Sequence, residues 1–150
     1  MQKRVLGVDF GTRRVGVALS DPLRLFANRL VTVVRTRDDG VGPVESIIEL
    51  CEKHDVDTVI IGSPIRTDGG QSDITRAATA FMEALKQTTP YRVELFDERY
   101  TSILASRVIV ETEAKISKRR DKGLVDRVAA EILLQDWLDK ERGGLAANYD

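Results

Sequence analysis

The stretch RVLGVDFGTRRVGVALS, residues 4–20, decides the fold of this chain. Residues 3–10 are apolar and β-branched, and residues 14–20 alternate between apolar and other side chains. Residues 11–13 between them form a tight turn that contains a glycine. Two strand-like runs separated by a short turn of this kind predict a β-hairpin.

Strands and helices are predicted to alternate after this hairpin. Residues 30–34 are a third strand-like run, and residues 56–61 and 91–96 are two more strands, each preceded by a helical pattern. The order βββαβαβαα predicts an α/β fold whose five-stranded mixed sheet begins with antiparallel hairpins, continues with parallel strands and is flanked by helices. The predicted helices cover residues 44–54, 74–86, 101–111 and 125–140, and Gly143-Gly144 is predicted to end the last one.

Length and composition predict one globular domain. The 150 residues are 42% hydrophobic and 31% charged, and no apolar run approaches the ~20 residues that span a bilayer. Cys51 is the only cysteine and the N-terminus has no signal-peptide pattern, so we expect a cytoplasmic protein. The net charge of −1 argues against a module that binds nucleic acid by bulk charge. We predict a domain over residues 1–141 and a flexible tail over residues 142–150.

Two acidic positions lie in or after predicted strands. Asp9 is inside the most apolar strand, where an ionised carboxylate is costly unless it is paired or binds a metal. A turn residue before Gly11 is the alternative. Asp97 and Glu98 directly follow the last strand, at the kind of strand end where α/β sheets bind ligands. A solvated acidic turn paired with Arg99 would also explain them.

A third acidic position, Asp126, is near the start of the last predicted helix. Ala129, Ala130 and Leu133 follow it at helical spacing, which puts Asp126 on the apolar stripe. An N-cap role is the alternative, because aspartate is favoured there. Ala129 leaves the reciprocal capping box incomplete, and the position of Asp126 on the apolar stripe favours a functional role.

These carboxylates favour metal-assisted chemistry. They come from three elements that can converge at one end of the sheet, and without histidine or cysteine ligands they suit Mg²⁺ or Mn²⁺. Two such ions ~3.5–4 Å apart clamp the attacking and leaving oxygens of a phosphoryl displacement. Two other chemistries are disfavoured. A catalytic triad would have to use His54, the only histidine, which lies in a predicted helix of core positions. One histidine and one cysteine, His54 and Cys51, are too few ligands for a zinc site.

A glycine-rich loop and a basic cluster are candidate phosphate contacts. Residues 62–70, GSPIRTDGG, lie between a strand and a helix and can approach phosphates through Ser63, Arg66 and Thr67. A plain connecting loop is the alternative. Five basic residues precede Asp126, which favours a phosphate-gripping loop over a solvated charge run. They are Lys115, Lys118, Arg119, Arg120 and Lys122.

Four segments together resemble the YqgF family, also called the RuvX or pre-16S rRNA nuclease family. They are residues 7–21 (GVDFGTRRVGVALSD), 62–69 (GSPIRTDG), 97–102 (DERYTS) and 122–138 (KGLVDRVAAEILLQDWL). They keep the family's order and spacing, and the match extends from about residue 3 to residue 138. The resemblance implies a ribonuclease H-like fold related to that of the RuvC Holliday-junction resolvases.

The resemblance also implies a two-metal-ion nuclease that hydrolyses phosphodiester bonds of structured RNA, in 5′-end maturation of pre-16S rRNA. Asp9, Glu98 and Asp126 are then the metal ligands and catalytic residues, Asp97 is an assisting ligand, and Mg²⁺ or Mn²⁺ is the cofactor. The expected partners are pre-16S rRNA and the ribosomal particle, or branched DNA, for a monomer or homodimer. We assign nucleic-acid contacts to Thr12, Arg13, Ser63, Arg66, Arg99, Lys118, Arg119, Arg120 and Lys122.

Three alternative functions stay open. A Holliday-junction resolvase would have to be a two-fold dimer, because it cuts two strands symmetrically. A non-catalytic ribosome-assembly factor would gain nothing from carboxylates aimed at phosphates. A small phosphotransferase is suggested by residues 9–12, DFGT, which resemble the first phosphate loop of sugar kinases and actin-like ATPases. Those proteins need a second domain, for which 150 residues leave no room.

Overall fold

A β-hairpin begins the fold in the computed structural model, which describes residues 3–63, 73–97 and 122–147. Its strands are β1, Arg4–Phe10, and β2, Arg14–Ser20, and they pair antiparallel. The predicted hairpin is therefore confirmed. Both strands are buried at every position after the first, as is expected of central strands that are covered on both faces.

The hairpin belongs to a five-stranded mixed sheet, as the sequence predicted. The other strands are β3, Ala27–Val34, β4, Val56–Ser63, and β5, Arg92–Asp97, and the spatial order is β3-β2-β1-β4-β5. β3 is antiparallel to β2, whereas β4 is parallel to β1 and β5 is parallel to β4. The sheet therefore has an antiparallel half and a parallel half that meet at β1.

Helices cover both faces of the sheet. α1, Val44–His54, and α2, Asp73–Thr88, pack on one face, and α3, Lys122–Ala147, packs on the other. The helix predicted over residues 101–111 lies outside the described residues. Within the described segments, no helix is both long and apolar enough to cross a membrane.

α3 is longer than predicted. It begins at Lys122 and continues through Gly143 and Gly144 to Ala147, so the prediction that these glycines end the helix is wrong. Glycine weakens a helix by about 1 kcal/mol relative to alanine but does not forbid it. A Cβ atom at Gly143 would meet no atom within 4 Å, so no tertiary contact turns the chain there. The domain of residues 1–141 and the flexible tail of residues 142–150 stay predictions.

The side chains of β1 divide between the two cores. Leu6 and Val8 belong to the cluster that contains the apolar residues of α1 and α2, whereas Val5 packs in the cluster that contains Leu134 of α3. Because strand side chains alternate between faces, Asp9 lies on the same face as Val5. The acidic residue therefore faces the helix that contains Asp126.

Candidate active site

Asp9 is a buried carboxylate near the carboxyl end of the central strand. Only 6% of the residue is exposed. It pairs with Gly16 across β2 on one side and with Gly62 across β4 on the other. Two glycine neighbours leave the space above the sheet free of cross-strand side chains at this position. Asp9 can therefore present its carboxylate to a ligand on the α3 face.

Asp126 lies next to Asp9 because α3 rests directly on Gly16. A Cβ atom at Gly16 would be 1.9 Å from the carbonyl oxygen of Asp126 and 2.9 Å from its Cβ atom. Only glycine permits this approach. Directly opposed residues of an antiparallel pair have Cβ positions ~4.5–5.5 Å apart, so the Cβ atoms of Asp9 and Asp126 lie within about 8 Å of each other. The structure thus brings two of the predicted site residues together.

The first turns of α3 are fastened to the sheet at the same place. The Thr32 hydroxyl of β3 donates a hydrogen bond of 2.8 Å to the carbonyl oxygen of Gly123, and Arg127 Nη1 donates one of 3.0 Å to the same hydroxyl. Since α3 begins at Lys122, Asp126 is in the second turn and cannot be the N-cap. The capping explanation of Asp126 is therefore wrong.

Arg14 is a site residue that the sequence reasoning missed. Its Nε atom donates a 2.8 Å hydrogen bond to Oδ2 of Asp126, across 112 positions of sequence. Arg14 opens β2 two residues before Gly16, and alternation puts both on the α3 face. The alternation of β2 was the available sequence signal, but nothing in the sequence identified Asp126 as the partner of Arg14. The pair is partly exposed, with 34% of the Arg14 side chain and 20% of the Asp126 side chain accessible.

The end of β5 aligns with Asp9 through β4. Gly62 pairs with Asp9 on one side and with Phe96 on the other, so these three residues form one row of the sheet. Phe96 packs in the α3-side clusters, and alternation therefore turns the next residue, Asp97, toward the opposite face. This makes Asp97 a weaker candidate ligand than Asp9 or Asp126. Glu98 lies outside the described residues.

Two of the predicted nucleic-acid contacts lie beside this pair. Thr12 and Arg13 are exposed on the turn between β1 and β2, immediately before Arg14. Ser63 ends β4 and Lys122 begins α3, but their side chains are not among the described ones. The remaining predicted contacts fall outside the described residues. They are Arg66, Arg99, Lys118, Arg119 and Arg120.

The donor set fits a hard divalent cation. Both approaching side chains are carboxylates, and oxygen ligands of this kind suit Mg²⁺ or Mn²⁺. Among the described residues no group of three or more histidine, cysteine or acidic side chains is close enough to hold a metal. Asp9 and Asp126 would therefore need further ligands from elsewhere.

The single cysteine takes no part in this site. Cys51 is buried among the apolar residues of α1. Burial, and to a smaller extent the nearby charge of Glu52, raises the pKa of its thiol to about 12. A thiol with this pKa stays protonated and inert at neutral pH. Cys51 is therefore a core residue.

The chain is similar in sequence to proteins of one family. The RuvX family, described as Holliday junction resolvase, matches residues 3–140. A candidate pre-16S rRNA nuclease of Clostridium acetobutylicum is 37% identical over 136 residues, which are 91% of this chain and 98% of that protein. One of Myxococcus xanthus is 35% identical over 139 residues, which are 93% and 89% of the two chains.

A solved structure shares the fold. The RuvC protein of T. thermophilus in complex with a Holliday junction substrate matches with a TM-score of 0.59, covering 95% of this chain and 97% of that chain. The sequence identity is 15%, so the likeness concerns the fold alone. RuvC resolvases have a ribonuclease H-like fold, and the predicted fold class is confirmed.

Proposed function

Because the chain belongs to the RuvX family, we propose that it is a divalent-metal-dependent nuclease that hydrolyses phosphodiester bonds of structured RNA. The names of its relatives and the fold support a hydrolase acting on nucleic-acid esters. The finer elements of the proposal are the metal ions, the RNA substrate and the step, which is 5′-end maturation of pre-16S rRNA. For that step the relatives' names are the support.

One observation carries the chemical part of the proposal. Gly16 lets the backbone of Asp126 approach the strand position directly opposite Asp9, and the result is a pair of carboxylates on one face of the sheet. A pure binding protein would gain nothing from this pair, since carboxylates repel phosphates. A metal site explains both the burial of Asp9 and the glycine that makes room for Asp126.

The residues have distinct roles in this proposal. Asp9, Asp126 and Glu98 hold Mg²⁺ or Mn²⁺, with Asp97 as an assisting residue. Bound metal ions supply a water of lowered pKa and neutralise charge that develops on the phosphate. Arg13 donates hydrogen bonds to the nucleic-acid backbone from the exposed turn beside the site, and such contacts position the substrate without reading its sequence.

The basic residues outside the described segments complete the proposed substrate contacts. The whole chain has a net charge of −1, so a phosphate backbone needs positive charge that is concentrated near the site, and these residues would supply it. With Thr12, Ser63 and Lys122 they form the proposed nucleic-acid surface. The members outside the described residues are Arg66, Arg99, Lys118, Arg119 and Arg120.

Cleavage of a Holliday junction is the second candidate function. The description of the RuvX family and the fold shared with RuvC favour it. Resolution requires two symmetric cuts, so a resolvase must present two copies of the Asp9–Asp126 site in a two-fold dimer. An RNA-processing enzyme has no such requirement and can act as a monomer.

The experiment is a cleavage assay with two substrates and three charge-neutralised variants. End-labelled pre-16S rRNA leader and a four-way DNA junction are incubated with Mn²⁺, with Mg²⁺ and with EDTA. We expect metal-dependent cleavage of the RNA that Asp9→Asn and Asp126→Asn each reduce by more than about 100-fold, because loss of a residue that only supports a metal ligand already costs about 10–100-fold. Glu131→Gln is the matched control, because this residue is on the same helix and pairs with Arg29.

The outcomes separate the candidates. Cleavage of the junction in preference to RNA, together with a dimer in solution, would favour the resolvase. Binding of RNA without cleavage, unaffected by Asp9→Asn, would favour a ribosome-assembly factor and contradict the nuclease. Equal loss in Glu131→Gln would show that the variants fail for structural reasons.

A further inference from the structure

The carboxylate of Asp126 already forms an ion pair with a positively charged side chain. The Nε atom of Arg14 is 2.8 Å from Oδ2 of Asp126, and this is an ion pair between β2 and α3. We propose that Arg14 is the counter-cation of Asp126 in the metal-free protein and that a divalent metal ion displaces it when Asp126 becomes a ligand. This inference rests on the proposed function, because it takes Asp126 as a metal ligand.

A cation at this position offsets the repulsion between two carboxylates. Asp9 and Asp126 approach each other across Gly16, and two nearby carboxylates repel when both are ionised. Asp9 lies in an apolar strand with 6% exposure, where solvent screens this repulsion poorly. Arg14 supplies one compensating positive charge on the same face of the sheet. The pair thus holds the Asp126 carboxylate against the start of β2.

The geometry of the pair suits displacement. A single hydrogen bond, from Nε to Oδ2, joins Arg14 to Asp126, and it lacks the second parallel bond of a bidentate pair. The Arg14 side chain is 34% exposed at the start of its strand, so it can turn into solvent. A guanidinium group and a divalent ion on one carboxylate repel each other. The divalent ion has twice the charge of the guanidinium group and also binds Asp9, so it displaces Arg14 from the carboxylate of Asp126.

The chain contains a matched ion pair that should not respond to metal. Arg29 on β3 donates from Nε to Oε2 of Glu131 on α3, at 2.9 Å. It has the same chemistry, joins the sheet to the same helix and is of comparable length. Its carboxylate belongs to no proposed metal site. Arg29 is therefore an internal reference for Arg14.

The first measurement follows the Nε–H resonances of both arginines by NMR during a titration with Mg²⁺ alone. No nucleic acid is present, so the readout does not depend on activity. We expect the Arg14 resonance to shift and to exchange faster with water, in proportion to metal binding, while the Arg29 resonance stays constant. Asp9→Asn should weaken the Mg²⁺ response, while the Arg14–Asp126 pair still forms in the metal-free protein.

The second measurement is the affinity for Mn²⁺ by calorimetry in Arg14→Gln and Arg29→Gln. Removing a competing cation should tighten Mn²⁺ binding of Arg14→Gln by about fivefold, the factor that a partly exposed ion pair supports. Arg29→Gln loses the same charge and the same kind of pair, and its affinity should stay within about twofold of the wild type.

Two results would overturn the inference while leaving the proposed function intact. One is Mn²⁺ binding that depends on Asp9 but is equal in Arg14→Gln and the wild type. The other is weaker binding in Arg14→Gln, which would mean that Arg14 orients Asp126 for the metal and stays in contact with it. If the wild type binds neither Mg²⁺ nor Mn²⁺, both the inference and the proposed function fail.

Discussion

Replacing Gly16 with alanine tests whether the close contact between β2 and α3 builds the site. The added Cβ atom would be 1.9 Å from the carbonyl oxygen of Asp126 and 2.2 Å from its carbonyl carbon. Ordinary van der Waals contact begins at 3.4 Å, so the two backbones must separate by about 1.5 Å. Both colliding groups are backbone, and no rotamer change can relieve the overlap.

The expected cost follows from this overlap. Overpacking a close contact typically costs about 1–3 kcal/mol, and a backbone collision belongs at the upper end of that range. For a chain of this size each kcal/mol lowers the melting temperature by about 2–4 °C, so Gly16→Ala should melt about 6–12 °C below the wild type. Metal ligands tolerate displacements of only about 0.2 Å, and Mn²⁺ affinity should fall at least about tenfold.

The assay pairs thermal melting in EDTA with Mn²⁺ calorimetry, and two other glycines, one inside the helix–sheet contact and one outside it, are controls. A Cβ atom at Gly7 would be 2.7 Å from Cβ of Leu134, away from the acidic pair, so Gly7→Ala should lower stability with a smaller effect on Mn²⁺. Gly143 has open space around it, and Gly143→Ala should raise stability by up to about 1 kcal/mol.

One result would refute the reasoning about Gly16. If Gly16→Ala melts with the wild type and binds Mn²⁺ equally well, α3 does not rest on β2 at Asp126. The acidic pair would then not form as described. Loss of stability with unchanged Mn²⁺ affinity would instead separate the packing of α3 from the metal site.

Three acidic or thiol groups give further expectations. Asp9→Asn should melt higher than the wild type in EDTA, because like-charge repulsion is relieved, and Mn²⁺ should stabilise only the wild type; a lower melting temperature in both conditions would indicate a structural role. Asp21 has a pKa below the ordinary 3.8: partial burial raises it, but hydrogen bonds from the backbone N–H groups of Phe26 and Leu25 outweigh burial and lower it. The stability that Asp21 contributes is therefore present above about pH 4 and is lost as the pH falls through its folded pKa. Asp21→Asn should melt at a lower temperature than the wild type at pH 7 and at the same temperature at about pH 2. A difference in melting temperature that persists at low pH would contradict this. Cys51, 1% exposed and with a pKa of about 12, should react with a thiol reagent at pH 8 only after unfolding, and fast labelling of the native protein would exclude the burial described.

The sequence determined the order and type of the described elements because local periodicity encodes them. The alternation of residues 4–20 predicted the hairpin that forms, and helical spacing predicted α1 and α2 to within two residues at either end. The last helix was predicted too short, since Gly143 and Gly144 break a pattern without breaking a helix in open space. Asp9 could be singled out from sequence, because a charge inside an apolar strand is costly anywhere.

The tertiary structure alone decided how these residues meet. The contact of α3 with Gly16 brings Asp126 to Asp9, and the pairing of Arg14 with Asp126 joins residues 112 positions apart. Neither follows from periodicity, which describes only neighbours along the chain. Both arise because a long helix must bury its apolar stripe on the sheet, and the two glycines on that face, Gly7 and Gly16, determine how closely it can approach.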